Sequence, residues 1–295
     1  MPRFGTVLTA MVTPFNGDGS LSIEGAQRLA RWLVEHGNDG VIIAGTTGES
    51  ATLTHDEQVD LIAAVREAIP DHVLVAGAGS NDTAAAIELT ESATAAGADA
   101  ILSVTPYYNR PSQAGLEVHF RAVADATDKP IIVYDIPVRS GRKISTEVLL
   151  RLFAVDNIVG LKDAAGDVAE TAALIAEVGD AAEVYSGEDK LTLPLLSVGA
   201  VGTIGVATHW VGQETAAMFA AFNAGDLAEA TRLNALMIPS YRFESYDDAP
   251  NPVPSKAMLN LMGLDVGLCR SPMGPAPASL DERGRAVLTG LGRSL

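Results

Sequence analysis

The chain is 295 residues long, with 47% apolar and 19% charged residues, the balance of a folded, enzyme-sized protein rather than a disordered one. Its 37 acidic and 20 basic side chains leave a net charge of −17, which repels phosphate backbones and anionic lipid, so neither nucleic acid nor a membrane is expected as a partner. A single cysteine, Cys269, excludes an internal disulfide, and with no signal peptide or bilayer-length apolar run in view the sequence predicts a cytoplasmic protein.

Strand-like runs begin at Thr6 (TVLTAMV), Gly40 (GVIIA), His72 (HVLVAG), Ala100 (AILSV), Pro130 (PIIVY), Asn157 (NIVGLK), Ala182 (AEVYS) and Val201 (VGTIGV). Longer stretches with helical periodicity separate them, among them 22–36, 54–69 and 82–97. Thr54 followed by Glu57 is a capping box, whereas Ser22 is a weaker start signal. Eight repeated βα units of about thirty residues each predict an α/β fold closed as a (β/α)8 TIM barrel. A further helix is expected near Gln213 to Asn223, and the barrel is assigned to 1–224. The remainder, 225–295, reads as a helical appendix: DLAEATRLNALMIPSYRFES, SKAMLNLMG and SLDERGRAVLTGLG are helix-like, with the proline-rich DAPNPVPS between the first two.

In such a barrel the C-terminal ends of the strands meet around one mouth, so reactive groups are sought there. The candidates are GTTGES (45–50), TPYYNRP (105–111), YDIPVRSG (134–141) and Lys162 at the end of NIVGLK. No two of His36, His55, His72, His119 and His209 stand at ligand spacing, so no metal site is expected, and most of them read as helix-surface or strand-start residues. Cys269 has no partner base in view. GTTGES lacks the Gly-Lys-Ser/Thr ending of a phosphate loop, and GAGSND (77–82) lacks the third glycine of a dinucleotide fingerprint. SGEDK, where a barrel phosphate cup would fall, carries Glu188 and Asp189, which oppose phosphate.

What remains is carbonyl chemistry through an amine. Lys162 emerges from an apolar run, and burial favours the neutral, nucleophilic form; from position alone it is equally a rim lysine paired with Asp163 or a neighbouring acid. Tyr134 ends the preceding strand, one βα unit earlier, where a phenol can shuttle the proton that turns a carbinolamine oxygen into water; the plainer reading is a core aromatic. Arg139 has the planar charged fork that suits a carboxylate, or is a solvated loop residue like Arg142 and Lys143 beside it. Thr46 and Thr47 offer hydroxyls and turn amides to a small carboxylate, or only cap their turn. Tyr107 and Tyr108 suit packing or a subunit contact.

GTTGES, VTPYYNRPSQAG, YDIPVRSG and GLKDAAGD lie in the order and at the separations that make this chain resemble the dihydrodipicolinate synthase family, pyruvate-dependent class I aldolases built on barrels. The resemblance runs from about Gly5 through NPVPSK and beyond, nearly the whole chain. It implies a Schiff base between pyruvate and Lys162, an enamine, and attack on aspartate 4-semialdehyde to give 4-hydroxy-tetrahydrodipicolinate, on the route to diaminopimelate and lysine. No cofactor is implied. Carried over by position, Tyr134, Thr46 and Tyr108 are similar to a proton-relay triad, Tyr108 reaching in from a neighbouring subunit. Thr46 and Thr47 resemble the holders of the pyruvate carboxylate, and Arg139 the receiver of the second substrate's carboxylate. Gly187 and Ile204 resemble backbone or wall contributors. A homotetramer, a dimer of dimers, is implied.

Ser50, Ala51, His55, Asn81 and Tyr107 fit the family's allosteric lysine site, but Gln58 and Ala85 stand where histidine and glutamate are usual in inhibited members, so weak or absent lysine inhibition is expected. Asp135 replaces a frequent asparagine, a difference expected to be neutral. The competing expectations are a sugar-acid aldolase of the same family, such as an N-acetylneuraminate lyase, and a non-catalytic barrel. Arg139 argues against the first; the pairing of Lys162 with Tyr134 argues against the second.

Overall fold

β-branched and apolar runs bury well on both sides of a pleated ribbon, and in the computed structural model, which describes residues 2–293, each of the eight runs forms a strand. These are β1 (Val7–Ala10), β2 (Gly40–Ile43), β3 (Val73–Gly77), β4 (Ala100–Val104), β5 (Ile131–Asp135), β6 (Ile158–Asp163), β7 (Glu183–Ser186) and β8 (Gly202–Gly205). All neighbours pair in parallel and β8 returns to β1, closing the barrel. The outermost residues of the two expected segments, Met1, Ser294 and Leu295, lie outside the described residues.

The two-residue period of the strands divides the apolar residues into two cores. Leu8, Ala10, Ile42, Val75, Leu102, Ile132, Tyr134, Tyr185 and Ile204 fill the barrel interior. Val41, Ile43, Leu74, Ile101, Ile131, Val133, Leu161 and Val184 instead face the surrounding helices. Phe4 and Tyr185 lie at one end of the interior, where the Tyr185 hydroxyl donates to Glu183 at 2.9 Å and accepts from the Phe4 amide. The helix His55–Ala68 starts at the expected capping box, with both reciprocal bonds of Thr54 and Glu57 formed, worth about 1 kcal/mol. Ser22 also caps its helix, accepting from the Gly25 amide at 3.3 Å.

The helix expected near Gln213 begins earlier, at Thr208. The helices Leu227–Phe243, Val253–Leu261 and Ser279–Gly290 follow. Trp210 and Phe219 of the last barrel helix share a core with Met237, Phe243, Met258, Leu280 and Leu288 of the appendix. Among the described residues no helix is long and apolar enough to cross a membrane.

Candidate active site

Tyr134 and Lys162 are register partners across β5 and β6, so the pleat turns both side chains inward at the same height. Lys162 is 5% exposed and Tyr134 6%, and the ammonium nitrogen lies 4.3 Å from the centre of the phenol ring. The rim pairing with Asp163 does not occur. Asp163, one position further along, points to the opposite face, where its carboxylate accepts from the Ala165 amide at 2.8 Å and from the Thr171 hydroxyl. None of the ion pairs among the described residues involves Lys162.

Burial therefore dominates, and it pulls the Lys162 amine down to about 8; the carboxylates of Asp189 and Glu188 act against the shift and the Arg139 guanidinium adds to it. About one lysine in ten is then a neutral nucleophile at pH 7. Burial also raises the Tyr134 phenol well above its ordinary range, so it keeps its proton and is available to lend it. Gly187 follows β7 beside the lysine. A Cβ there would stand 3.0 Å from Lys162 Cγ and 3.1 Å from Ala164 Cβ, so only glycine leaves room for the lysine stem. Ile204, fully buried on β8, belongs to the same inner cluster as Tyr134.

The hydroxyl and guanidinium candidates sit on loops at the same end of the barrel. After β2 the chain turns at Ala44 (φ 52°) and leaves the turn at Glu49 (φ 56°), left-handed conformations that side chains adopt only when held. The turn exposes Thr46 and buries Thr47. Thr13 clamps it from the segment after β1, its hydroxyl donating to the Gly48 carbonyl at 2.6 Å. Arg139 lies exposed in the short helix Pro137–Ser140, which ends at Gly141 (φ 71°). Tyr108, also left-handed (φ 72°), is 91% exposed, and its amide donates to the Ser140 carbonyl at 3.4 Å. The loops after β4 and β5 are thus tied together.

Lys162, Tyr134, Gly187 and Ile204 come together at the barrel axis. The candidate allosteric residues lie on the outside of the neighbouring loops: the His55 ring bonds the Ser92 hydroxyl at 3.0 Å, the Asn81 carbonyl accepts from Asn109 at 2.8 Å, and the Ser50 carbonyl accepts from Gln58 at 3.4 Å. Ala51 is exposed and Tyr107 is 39% exposed.

Sequence reasoning missed several buried polar groups. His119 and His209 are not surface residues: they are 3% and 0% exposed, and burial lowers both to about 4. His209 accepts from the Val12 amide at 3.1 Å, a structural role. Asp135, expected to be neutral in effect, is 1% exposed and raised by burial to about 7, with Lys143 restraining the shift. Asp189 is buried and accepts from the Val206 amide at 2.7 Å; burial raises its carboxyl, and raises that of nearby Glu244 still more clearly. Cys269 is pushed up to about 12 by burial, with Glu49 adding to the shift, far from a reactive thiolate. Among the described residues no group of three or more His, Cys, Asp or Glu is placed to hold a metal ion.

The turn after β2 is also held from the far end of the sequence. The Asn251 amide donates to Thr47 Oγ1 at 3.0 Å, and Lys256 Nζ meets Glu49 Oε1 at 2.7 Å in a pair whose side chains are 2% and 1% exposed. Nothing in the local sequence signals these contacts, which join positions some two hundred residues apart. A buried amine that is partly neutral at pH 7 and has no ion-pair partner among the described residues, set beside a protonated phenol, suits addition to a ketone and removal of the resulting hydroxyl as water.

Comparisons with known proteins give the family and the fold. A family model described as the dihydrodipicolinate synthetase family matches residues 3–289. A 4-hydroxy-tetrahydrodipicolinate synthase from Moorella thermoacetica is 46% identical over 292 residues, covering 98% of this chain and 99% of that protein. A dihydrodipicolinate synthase from Cyanidioschyzon merolae, solved with lysine bound, superposes with a TM-score of 0.95 at 40% identity, covering 98% of each chain. The chloride-inhibited dihydrodipicolinate synthase from Acinetobacter baumannii, solved with pyruvate, gives a TM-score of 0.94 at 35% identity, covering 99% of this chain and 100% of that one. With the family model spanning nearly the whole sequence and the fold shared end to end, the chain belongs to the dihydrodipicolinate synthetase family.

Proposed function

We propose that this chain is a 4-hydroxy-tetrahydrodipicolinate synthase, a lyase that condenses pyruvate with aspartate 4-semialdehyde through a lysine Schiff base. The observation that carries the reading is the desolvated Lys162 amine, without an ion-pair partner among the described residues, against the Tyr134 ring. The neutral amine adds to the pyruvate ketone carbon to give a carbinolamine. Its hydroxyl leaves as water on accepting a proton, and the nitrogen lone pair closes the C=N bond. Loss of a methyl proton gives the enamine, whose carbon attacks the aldehyde. The substrate's own amine then adds to the C=N carbon, closing the ring as the Lys162 C–N bond breaks.

In this reading Tyr134, Thr46 and Tyr108 relay the protons. Thr46 and Thr47 hold the pyruvate carboxylate, and Arg139 receives that of the aldehyde substrate, which its planar fork suits. Gly187 and Ile204 shape the wall. The 91% exposure of Tyr108 is in keeping with a residue that serves a neighbouring subunit, so a homotetramer built from two tight dimers, and a cytoplasmic location, belong to the same reading. The two segments 1–224 and 225–295 are taken as catalytic barrel and helical appendix. Lysine inhibits weakly or not at all, because Gln58 and Ala85 replace the residues usual in inhibited members; a steep inhibition curve at modest lysine concentration contradicts this.

Borohydride reduction in the presence of pyruvate, followed by peptide mass spectrometry, tests the reaction. An adduct on Lys162 that is missing from Lys162→Ala is the expected result, and an unmodified Lys162 overturns it. Turnover with aspartate semialdehyde and not with sugar acids separates this activity from that of a sugar-acid aldolase.

A further inference from the structure

Thr47 is 4% exposed, so its hydroxyl has few partners to choose from. Its oxygen accepts the Asn251 side-chain amide at 3.0 Å. The orientation of that amide is set in turn by Ser255, whose hydroxyl donates to Asn251 Oδ1 at 3.2 Å and so turns Nδ2 toward the threonine. A hydroxyl whose oxygen is already accepting has its own proton left to give, and among the described residues the Thr47 proton has no acceptor.

The frame around this contact is anchored twice more. Glu49, two residues on, is locked by Lys256 at 2.7 Å and by the Arg270 amide at 2.8 Å. Lys256 also donates to the Leu268 carbonyl at 3.0 Å. Asn251, Ser255 and Lys256 are all buried and belong to the segment that opens the helix Val253–Leu261.

We infer that Asn251 is a positioning residue for the reaction: held by Ser255, it makes the Thr47 hydroxyl an obligatory donor and so prepares that hydroxyl for the carboxylate of the keto-acid substrate. The inference rests on the reading of Lys162 as the pyruvate-binding amine. It gives the helical appendix a share in the active site, since the residue that fixes the donor comes from outside the barrel. An amide is required at 251 because a carboxylate there accepts the threonine proton instead of supplying one.

The test needs pyruvate alone. Borohydride trapping at Lys162, titrated with pyruvate, yields a half-saturating concentration and a limiting adduct yield for each variant. Asn251→Ala is expected to raise half-saturation about tenfold, the value of one hydrogen bond, with the limiting yield preserved. Asn251→Asp is expected to raise it about a hundredfold, because the carboxylate captures the proton and its charge opposes the ligand's. Ser255→Ala, which frees the amide to turn, keeps the test available if the variants at 251 fail to fold; it is expected to weaken pyruvate binding about threefold or more. Half-saturation within about twofold of the parent in these variants, even with lowered Tm, overturns the inference and leaves Asn251 a purely structural residue. No Lys162 adduct in the parent protein is a different result: it overturns the Schiff-base reading itself.

Discussion

Two lysines of this protein are buried to nearly the same degree, Lys162 at 5% and Lys256 at 2% exposure. Each lies against one aromatic ring, at 4.3 Å from the centre of Tyr134 and 4.1 Å from that of Phe15. Desolvation leads the causes that pull both below the ordinary lysine range. They differ in what else is near. Lys256 has the Glu49 carboxylate at 2.7 Å, whereas Lys162 has no carboxylate at ion-pair distance among the described residues and only the longer-range pull of Asp189 and Glu188. A carboxylate partner offsets the desolvation of a buried amine and makes it a strut; without one the amine loses its proton more readily and can serve as a nucleophile. Burial alone does not make a lysine reactive.

One substitution made at both sites tests the contrast. Lys162→Met removes the amine proposed as the nucleophile and is expected to lower turnover by at least about four orders of magnitude, measured as aspartate semialdehyde consumed with pyruvate saturating. Lys256→Met leaves Glu49 buried without its counter-charge and is expected to cost about 3–5 kcal/mol in denaturant unfolding, most of it recovered in the Glu49→Gln/Lys256→Met double variant. Lys162→Met should shift stability the other way, gaining about 1–3 kcal/mol at neutral pH, because the parent pays for a desolvated charge that methionine lacks. If both variants lose stability alike, the contrast between strut and nucleophile fails.

The pH dependence carries the smallest effect and the clearest sign. The folded Lys162 value, about 8, lies below the 10.5 of a free lysine. Adduct formation should therefore rise with pH and level off above about 8, and a midpoint near that of free lysine contradicts the desolvated amine. In stability, the advantage of Lys162→Met is full below about pH 8. It fades as pH climbs toward the free-lysine value, since the native amine is by then neutral while the unfolded chain still holds its proton.

Much of this was readable from the chain. The eight strand runs foretold the barrel because both faces of a closed parallel sheet are buried, which writes itself as short β-branched runs with turn residues between. Lys162 and Tyr134 were legible because each ends such a run, and in a closed barrel of parallel strands all run-ends share one mouth. Thr54 with Glu57 was legible because a cap is a contact between residues three apart. His119 and His209 could not be told from the three histidines that are not buried, because burial depends on which face of a helix meets the sheet, and one histidine leaves no periodic trace. Asp189, read only as an acid that opposes phosphate, and Glu244, not singled out, hid their burial for the same reason: an acid in sequence looks solvated until packing closes over it.

The number and order of strands, and with them the ring that brings Tyr134 beside Lys162, are written along the chain, because hydrophobic period and chain connectivity are local properties. Folding in three dimensions was needed to leave the lysine without an ion-pair partner among the described residues, to make Gly187 yield space to its stem, and to let Asn251 and Lys256 brace the turn of Thr47 and Glu49. Those are contacts between distant positions, and their energies come from desolvation and distance, quantities that exist only once the chain has folded.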